Sequence, residues 1–302
     1  MTEPHNAPRR VSPAHLSNRL IAWAARGLVA LASTNTRLRN RVLRTLLDRH
    51  LAPGVLCLVP FGDHALYVDP RDDKVALKLL SGRPWQRREL KAALSALKAA
   101  GTLRPDSVFI DVGANIGTQT IYALRSGHFT RGIAIEADPH NFAILERNVA
   151  VNALADTVHL QQAAASDREG TLRLSHHDKN YGAHSVEPAF LAKSAGTIDV
   201  AATTIDGLLD RLSIAPDAVG LVKIDVEGHE LAVLAGMDRL RAVRVPMLVE
   251  FTADPADVAR VGAFKALFAS GYTHVQDLTS GAAPVRLADF AWQTHQADLL
   301  IT

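Results

Sequence analysis

Cysteine is all but absent: Cys57 is the only one in 302 residues. That excludes a disulfide framework and any cysteine-based zinc site, and it fits a reducing compartment. Three familiar chemical motifs are also missing. There is no Walker A phosphate loop, no G-x-S-x-G nucleophile turn and no G-x-G-x-x-G dinucleotide turn, so the common P-loop, hydrolase and dinucleotide readings lose their usual support. No apolar run is long enough to span a bilayer. Internal repeats and low-complexity tracts are lacking as well.

Charge is unevenly spread. The first 50 residues contain no lysine but nine arginines against Glu3 and Asp48, a balance of +7. The whole chain is +2, so the remaining 252 residues carry −5. An acidic body of this kind gives no general argument for nucleic-acid binding. With hydrophobic residues at 48% and charged residues at 21%, the composition is that of a globular protein able to bury a large core.

The spacing predicts three regions. Residues 1–52 form an arginine-rich helical extension, residues 53–105 a hairpin and helix leading into the core, and residues 106–302 an α/β domain. In the extension, Leu16, Leu20, Trp23, Gly27, Leu28 and Leu31 share a helical stripe, and a second helix follows from Asn35 or Thr36. Two helices packed on the body explain this pattern. The alternative is a peripheral contact of residues 14–50 with the inner face of a membrane, since arginine-rich amphipathic helices bind anionic surfaces. Ala30-Leu31-Ala32 resembles a signal-peptidase site, but Arg26 breaks the apolar stretch before it. The expected location is the cytoplasm.

From residue 106 strands and helices alternate, which predicts a mostly parallel sheet with helices on both faces. Val55–Val59 and Ala65–Val68 read as a hairpin before it. The segment from Thr171 to about Thr197 reads as irregular.

One stretch organises the domain: Phe109-Ile110-Asp111-Val112-Gly113-Ala114-Asn115-Ile116-Gly117. A buried strand ends in a glycine-rich turn that opens a helix, the place where α/β folds bind nucleotide-like ligands. Its form is D-x-G-A-x-x-G. An acid, Asp111, before the first glycine suits a ligand with a cationic amine and no phosphate, and S-adenosylmethionine has that chemistry. Glu136, 25 residues beyond Asp111 at the end of the next strand, is placed to accept from both ribose hydroxyls. Ala164, Ala165, Ser166 and Asp167 end the third strand. Small residues there let an adenine lie flat, with Asp167 as acceptor for its amine; an ordinary strand-to-turn transition is the alternative.

The fourth strand leads into Lys223-Ile224-Asp225-Val226-Glu227-Gly228-His229-Glu230. Period-two alternation puts Lys223, Asp225 and Glu227 on one side, where they can orient a substrate hydroxyl. His229 or one of the carboxylates then removes its proton. A structural ion-pair network at the junction is the competing reading. Asn180, Tyr181 and His184 are candidate substrate contacts in a loop over the site. His176, His177 and Asp178 match no metal-ligand spacing, so no metal is expected.

These residues together resemble the FkbM family of S-adenosylmethionine-dependent methyltransferases. The similarity runs through Phe109–Gly117, Glu136-Ala137-Asp138-Pro139, Ala164–Asp167, Thr203-Thr204-Ile205-Asp206 and, most specifically, Val222–Glu230, covering about residues 55–302. The resemblance implies a Rossmann-like class I methyltransferase fold with a seven-stranded sheet whose last strand enters antiparallel. It implies cofactor contacts at Asp111, Gly113, Asn115, Gly117, Glu136, Ala165, Ser166 and Asp167. It also implies methyl transfer to a hydroxyl of a sugar, glycan or natural-product acceptor. Two other readings are weighed: a NAD-type oxidoreductase using Glu136 on ribose, and a non-catalytic cofactor-binding or membrane-docking module.

Overall fold

A computed structural model describes residues 41, 44, 45, 47, 49, 51, 52, 54–176, 185–187, 196–252, 256–269, 271–292 and 296–302. The chain divides into two compact units, Met1–Val55 and Leu56–Thr302. The helix expected over residues 14–32 lies outside the described residues. No helix among the described residues is long and apolar enough to cross a membrane.

The second unit opens with the expected hairpin, β1 (Cys57–Pro60) paired antiparallel with β2 (Ala65–Val68). Helices α1 (Val75–Leu80) and α2 (Arg87–Ala99) follow. The alternating core then runs β3 (Ser107–Val112), α3 (Thr118–Arg125), β4 (Phe129–Glu136), α4 (Pro139–Val151) and β5 (Val158–Gln162). Next come β6 (Ala164–Ala165), β7 (Gly170–His176), β8 (Gly196–Thr203), α5 (Ile205–Arg211), β9 (Val219–Ile224), α6 (Glu230–Ala235) and α7 (Asp238–Ala242). The chain ends with β10 (Met247–Thr252), α8 (Val258–Phe268), β11 (His274–Asp277), β12 (Val285–Arg286) and β13 (Gln296–Ile301).

The main sheet has eight strands in the order β12-β11-β13-β10-β9-β3-β4-β5. Strands β10, β9, β3, β4 and β5 are mutually parallel, and β13 enters antiparallel between β10 and β11. This is a class I methyltransferase arrangement with one correction to the expected count of seven. The eighth strand is the two-residue β12, which pairs with β11 through Val275 and Val285 at the sheet edge. The chain leaves β3 toward β4 and β5 on one side and returns to β9 and β10 on the other. The β3/β9 junction is therefore the topological switch point, where such sheets open a crevice.

Strand periodicity sorts the core into two layers. Val108, Ile110 and Val112 pack with Leu208, Leu234 and Phe264 from α5, α6 and α8, while Phe109 on the opposite face meets Leu90, Leu94 and Leu97 of α2. Helix α4 starts at Asp138, whose carboxylate accepts from the Asn141 N–H at 2.9 Å, with Pro139 at the first helical position.

Asn148 of α4 and Asn152 at its C-cap replace a missing strand partner for β2. Asn148 accepts from the Tyr67 N–H at 2.5 Å and donates to the carbonyls of Tyr67 at 3.0 Å and Ile116 at 2.8 Å. Asn152 accepts from the Ala65 N–H at 3.1 Å and donates to its carbonyl at 2.7 Å. Asn148→Ala leaves three backbone groups without those partners, at about 1–3 kcal/mol for each that stays buried and unpaired. Urea unfolding is expected to show a loss of at least about 2 kcal/mol; a change within experimental error would contradict this role.

The segment expected to be irregular instead contributes a small second sheet, ordered β6-β8-β7. Gly170–His176 runs antiparallel to Gly196–Thr203 over seven paired positions. The long separation between the partners hid this pairing, since no short turn joins them.

Candidate active site

The glycine turn after β3 is shaped by contact with β9. Gly113 has φ +78°, and a Cβ there would lie 1.8 Å from the Asp225 carbonyl oxygen. Only glycine allows both the backbone conformation and that approach. The N–H groups of Gly113 and Ala114 donate to the Ile135 carbonyl at 3.0 and 2.9 Å, tying the turn to β4.

Glu136, the last residue of β4, is held by the same turn. Its Oε2 accepts from the Asn115 N–H at 2.8 Å and its Oε1 from the Asp138 N–H at 2.9 Å. Each oxygen has a second lone pair, and the residue lines the cavity. Burial pushes its carboxyl up to about 7, opposed by the Asp138 N–H and reinforced by the charges of Asp138 and Asp111. Such a carboxylate gains from two further hydroxyl donors.

The cavity has a volume of about 240 Å³ and lies at the carboxyl ends of β3, β4, β5, β9 and β10. One part is an apolar slot between Ile135, Ala137, Ala163, Ala165, Leu174 and Val186. The slot suits a flat heterocycle and Glu136 suits a ribose, so the residues present fit an adenosine-bearing cofactor.

Of the expected cofactor residues, Gly113, Asn115, Glu136 and Ala165 line this cavity, whereas Asp111, Gly117, Ser166 and Asp167 do not. Asp111 is fully buried on the α3 side of β3, where its Oδ2 accepts from the Thr120 hydroxyl at 2.6 Å. Burial raises its pKa, against the opposing charge of Lys223. Asp111 itself does not line the cavity; its side chain lies against α3. Gly117 serves packing, since a Cβ would lie 2.5 Å from Leu145 Cδ1. Asp167 is taken out of the adenine slot, its Oδ1 3.1 Å from the Ser166 hydroxyl, and Ser166 is buried.

Lys223, Asp225, Glu227 and His229 all line the cavity. Lys223 Nζ donates to Asp225 Oδ2 at 2.7 Å. Burial alone would lower the Lys223 pKa, but the charges of Asp225, Glu250, Asp111 and Asp298 outweigh it and hold the ammonium above its usual range. Burial alone would raise Asp225; the Lys223 charge and hydrogen bonds from its neighbours hold it below the usual range.

Glu227 differs from its neighbours. It sits in the left-handed region at φ +48°, a conformation unusual for a residue with a long side chain. Its carboxylate forms no hydrogen bond or ion pair among the described residues. Burial, then the charges of Asp225 and Glu230, raise its pKa to about 7. Glu230 instead locks the turn, accepting from the Gly228 N–H at 2.8 Å and from Arg260 at 2.7 Å.

His229 has both ring nitrogens engaged, Nδ1 at 2.7 Å from Glu187 Oε1 and Nε2 at 3.0 Å from the Ser166 hydroxyl. The order resembles a serine–histidine–acid triad, but Ser166 is 1% exposed and off the cavity wall, so it meets no substrate. His229 thus links Ser166 to Glu187 from the cavity wall.

Several cavity residues escaped the sequence: Lys74, Trp85, Gln86, Leu174, Val186, Glu250 and Gln296. Glu250 had a usable signal, an acid inside the otherwise apolar strand Met247–Thr252. The others come from elements whose approach depends on tertiary packing. Asn180, Tyr181 and His184 lie outside the described residues.

With this geometry in view, comparisons with known proteins are informative. The family model described as Methyltransferase FkbM domain matches residues 111–272. Methyltransferase sdnD of Sordaria araneosa is 31% identical over 180 residues, covering 51% of this chain and 70% of that protein. The 31-O-demethyl-FK506 methyltransferase FkbM of Streptomyces tacrolimicus is 29% identical over 189 residues, covering 54% of this chain and 71% of that protein. The crystal structure of Methyltransferase FkbM from Methylobacillus flagellatus KT aligns with a TM-score of 0.42 at 18% identity, over 87% of this chain and 58% of that one. This chain thus spans less than two thirds of that structure.

Proposed function

The chain belongs to the FkbM methyltransferase family, and from that premise we propose that it methylates a hydroxyl of a sugar, glycan or natural-product acceptor. When bound, S-adenosylmethionine supplies a methyl group already activated on a sulfonium. Glu136 and the Ile135–Ala165 slot hold the adenosine end, and the Gly113 turn sets its approach to β9. The observation that carries the acceptor reading is Glu227, a cavity carboxylate without a partner among the described residues and with a pKa raised to about 7.

A general base works best with a pKa near the working pH, and a hydroxyl acceptor has one proton to give up. Glu227 takes that proton as the methyl–oxygen bond forms and the methyl–sulfur bond breaks, its electron pair staying on sulfur. Elsewhere on its wall the cavity offers the amides of Gln86 and Gln296, the ammonium of Lys74 and the ring of Trp85. Hydrogen-bonding groups beside one aromatic platform suit a polyhydroxylated acceptor. The Streptomyces tacrolimicus relative, a 31-O-demethyl-FK506 methyltransferase, supports oxygen as the accepting atom.

The test is transfer of labelled methyl from S-adenosylmethionine to a panel of sugars, glycans and hydroxylated natural products, with amine analogues alongside. Label recovered as an acid-stable methyl ether is the expected result. Label entering only the amine analogues would overturn the hydroxyl assignment.

A further inference from the structure

A row of acids crosses the α2-facing side of the sheet. Ile224 of β9 pairs with Val249 of β10, so Asp225 and Glu250 stand side by side one residue further on. Glu250 pairs with Asp298 of β13, and Asp111 of β3 pairs with Lys223 of β9. Four carboxyl groups thus share this side with one lysine. The neighbouring carboxyls shift each other, Glu250 upward and Asp225 downward. An ionised carboxylate has no donor, so a hydrogen bond between the two requires a proton on one of them. Both residues line the cavity, and Gln86 Nε2 approaches Glu250 Oε1 at 3.5 Å.

We propose that Glu250 is a further positioning residue of the acceptor site, forming with Asp225 an acid–carboxylate pair that holds one proton and one negative charge against the Lys223 ammonium. Two ionised carboxylates at this spacing would repel each other and splay apart. The shared proton removes that repulsion and makes the pair rigid. Burial pushes the Glu250 carboxyl up to about 10, the neighbouring Asp225 and Asp298 charges adding to it and Lys223 opposing. Asp298, raised to about 6 chiefly by burial, is ionised in alkaline solution and then strengthens the hold on this proton.

The pair is already balanced by Lys223, so it is a poor sink for a further proton. It offers lone pairs that fix the acceptor hydroxyl, and Glu227 is left to deprotonate it. What the pair positions rests on the methyl-transfer reading, but its protonation does not. The two can therefore fail separately.

The experiment is carbon-13 NMR of the full chain labelled at the glutamate side-chain carboxyl, titrated from pH 6 to 11. One glutamate is expected to titrate above pH 9, and that signal to disappear in Glu250→Gln. In Asp225→Asn the same signal should fall by about 1–3 pH units, because the neighbouring charge is gone. No glutamate titrating above pH 9, or one that persists in Glu250→Gln, would overturn the pair. So would an unmoved signal in Asp225→Asn, which also decides the matter if Glu250→Gln does not fold.

Discussion

Replacing Glu136 with alanine is expected to abolish measurable S-adenosylmethionine binding while leaving the protein folded. The carboxylate is held by the N–H groups of Asn115 and Asp138, so it meets the ribose without first giving up conformational freedom. Two hydrogen bonds from ribose hydroxyls to a charged acceptor are worth about 1.5–3 kcal/mol each, so their loss costs at least roughly 100-fold in affinity. Folding should suffer little at pH 8. A carboxyl whose folded pKa rises from 4.5 to about 7 favours the fold only while protonated. That contribution is complete below the ordinary value and lost as pH climbs through about 7. The same titration predicts that wild-type affinity for S-adenosylmethionine weakens as pH falls below about 7, since the protonated acid accepts less well. Calorimetry at pH 6 and pH 8 checks both statements, and wild-type affinity in Glu136→Ala would sink the ribose assignment.

Glu227→Gln is expected to lower methyl transfer to a hydroxyl acceptor by roughly 10²–10⁴-fold, the usual loss for a general base. The amide keeps the size of the side chain and cannot take a proton. Wild-type kcat/KM should rise with pH as Glu227 loses its proton near its value of about 7, and the variant should lack that limb. If Asp225 were the base instead, Glu227→Gln would keep the limb and most of the rate. The ion pair of Asp225 with Lys223, which helps hold its carboxyl below the usual range, argues for Glu227.

The parallel core was legible because its strands are short apolar runs separated by helical stripes; the hairpin strand Ala65–Val68 before it matches its expected bounds to the residue. The glycine turn was legible for a related reason, since Gly113 is required by one local backbone approach. Side-chain direction was harder. Asp111 is at the right strand end but bonds Thr120 of α3, and Asp167 does not line the cavity. The β6-β8-β7 sheet was not legible, because its two long strands pair across a wide gap in the chain. It supplies Leu174 to the cavity, so missing the sheet meant missing that wall. Glu250 is the instructive omission. An acid in a buried strand needs a partner to be tolerated there; its neighbours across the sheet are Asp225 of the motif and Asp298 of β13.

The most direct measurement is equilibrium calorimetry of the full chain at pH 8 with S-adenosylmethionine and, separately, with NAD. Saturable one-site binding of S-adenosylmethionine, competed by S-adenosylhomocysteine and lost in Glu136→Ala, is the predicted result, with no heat from NAD. Binding of NAD in place of S-adenosylmethionine would contradict the assignment of this cavity.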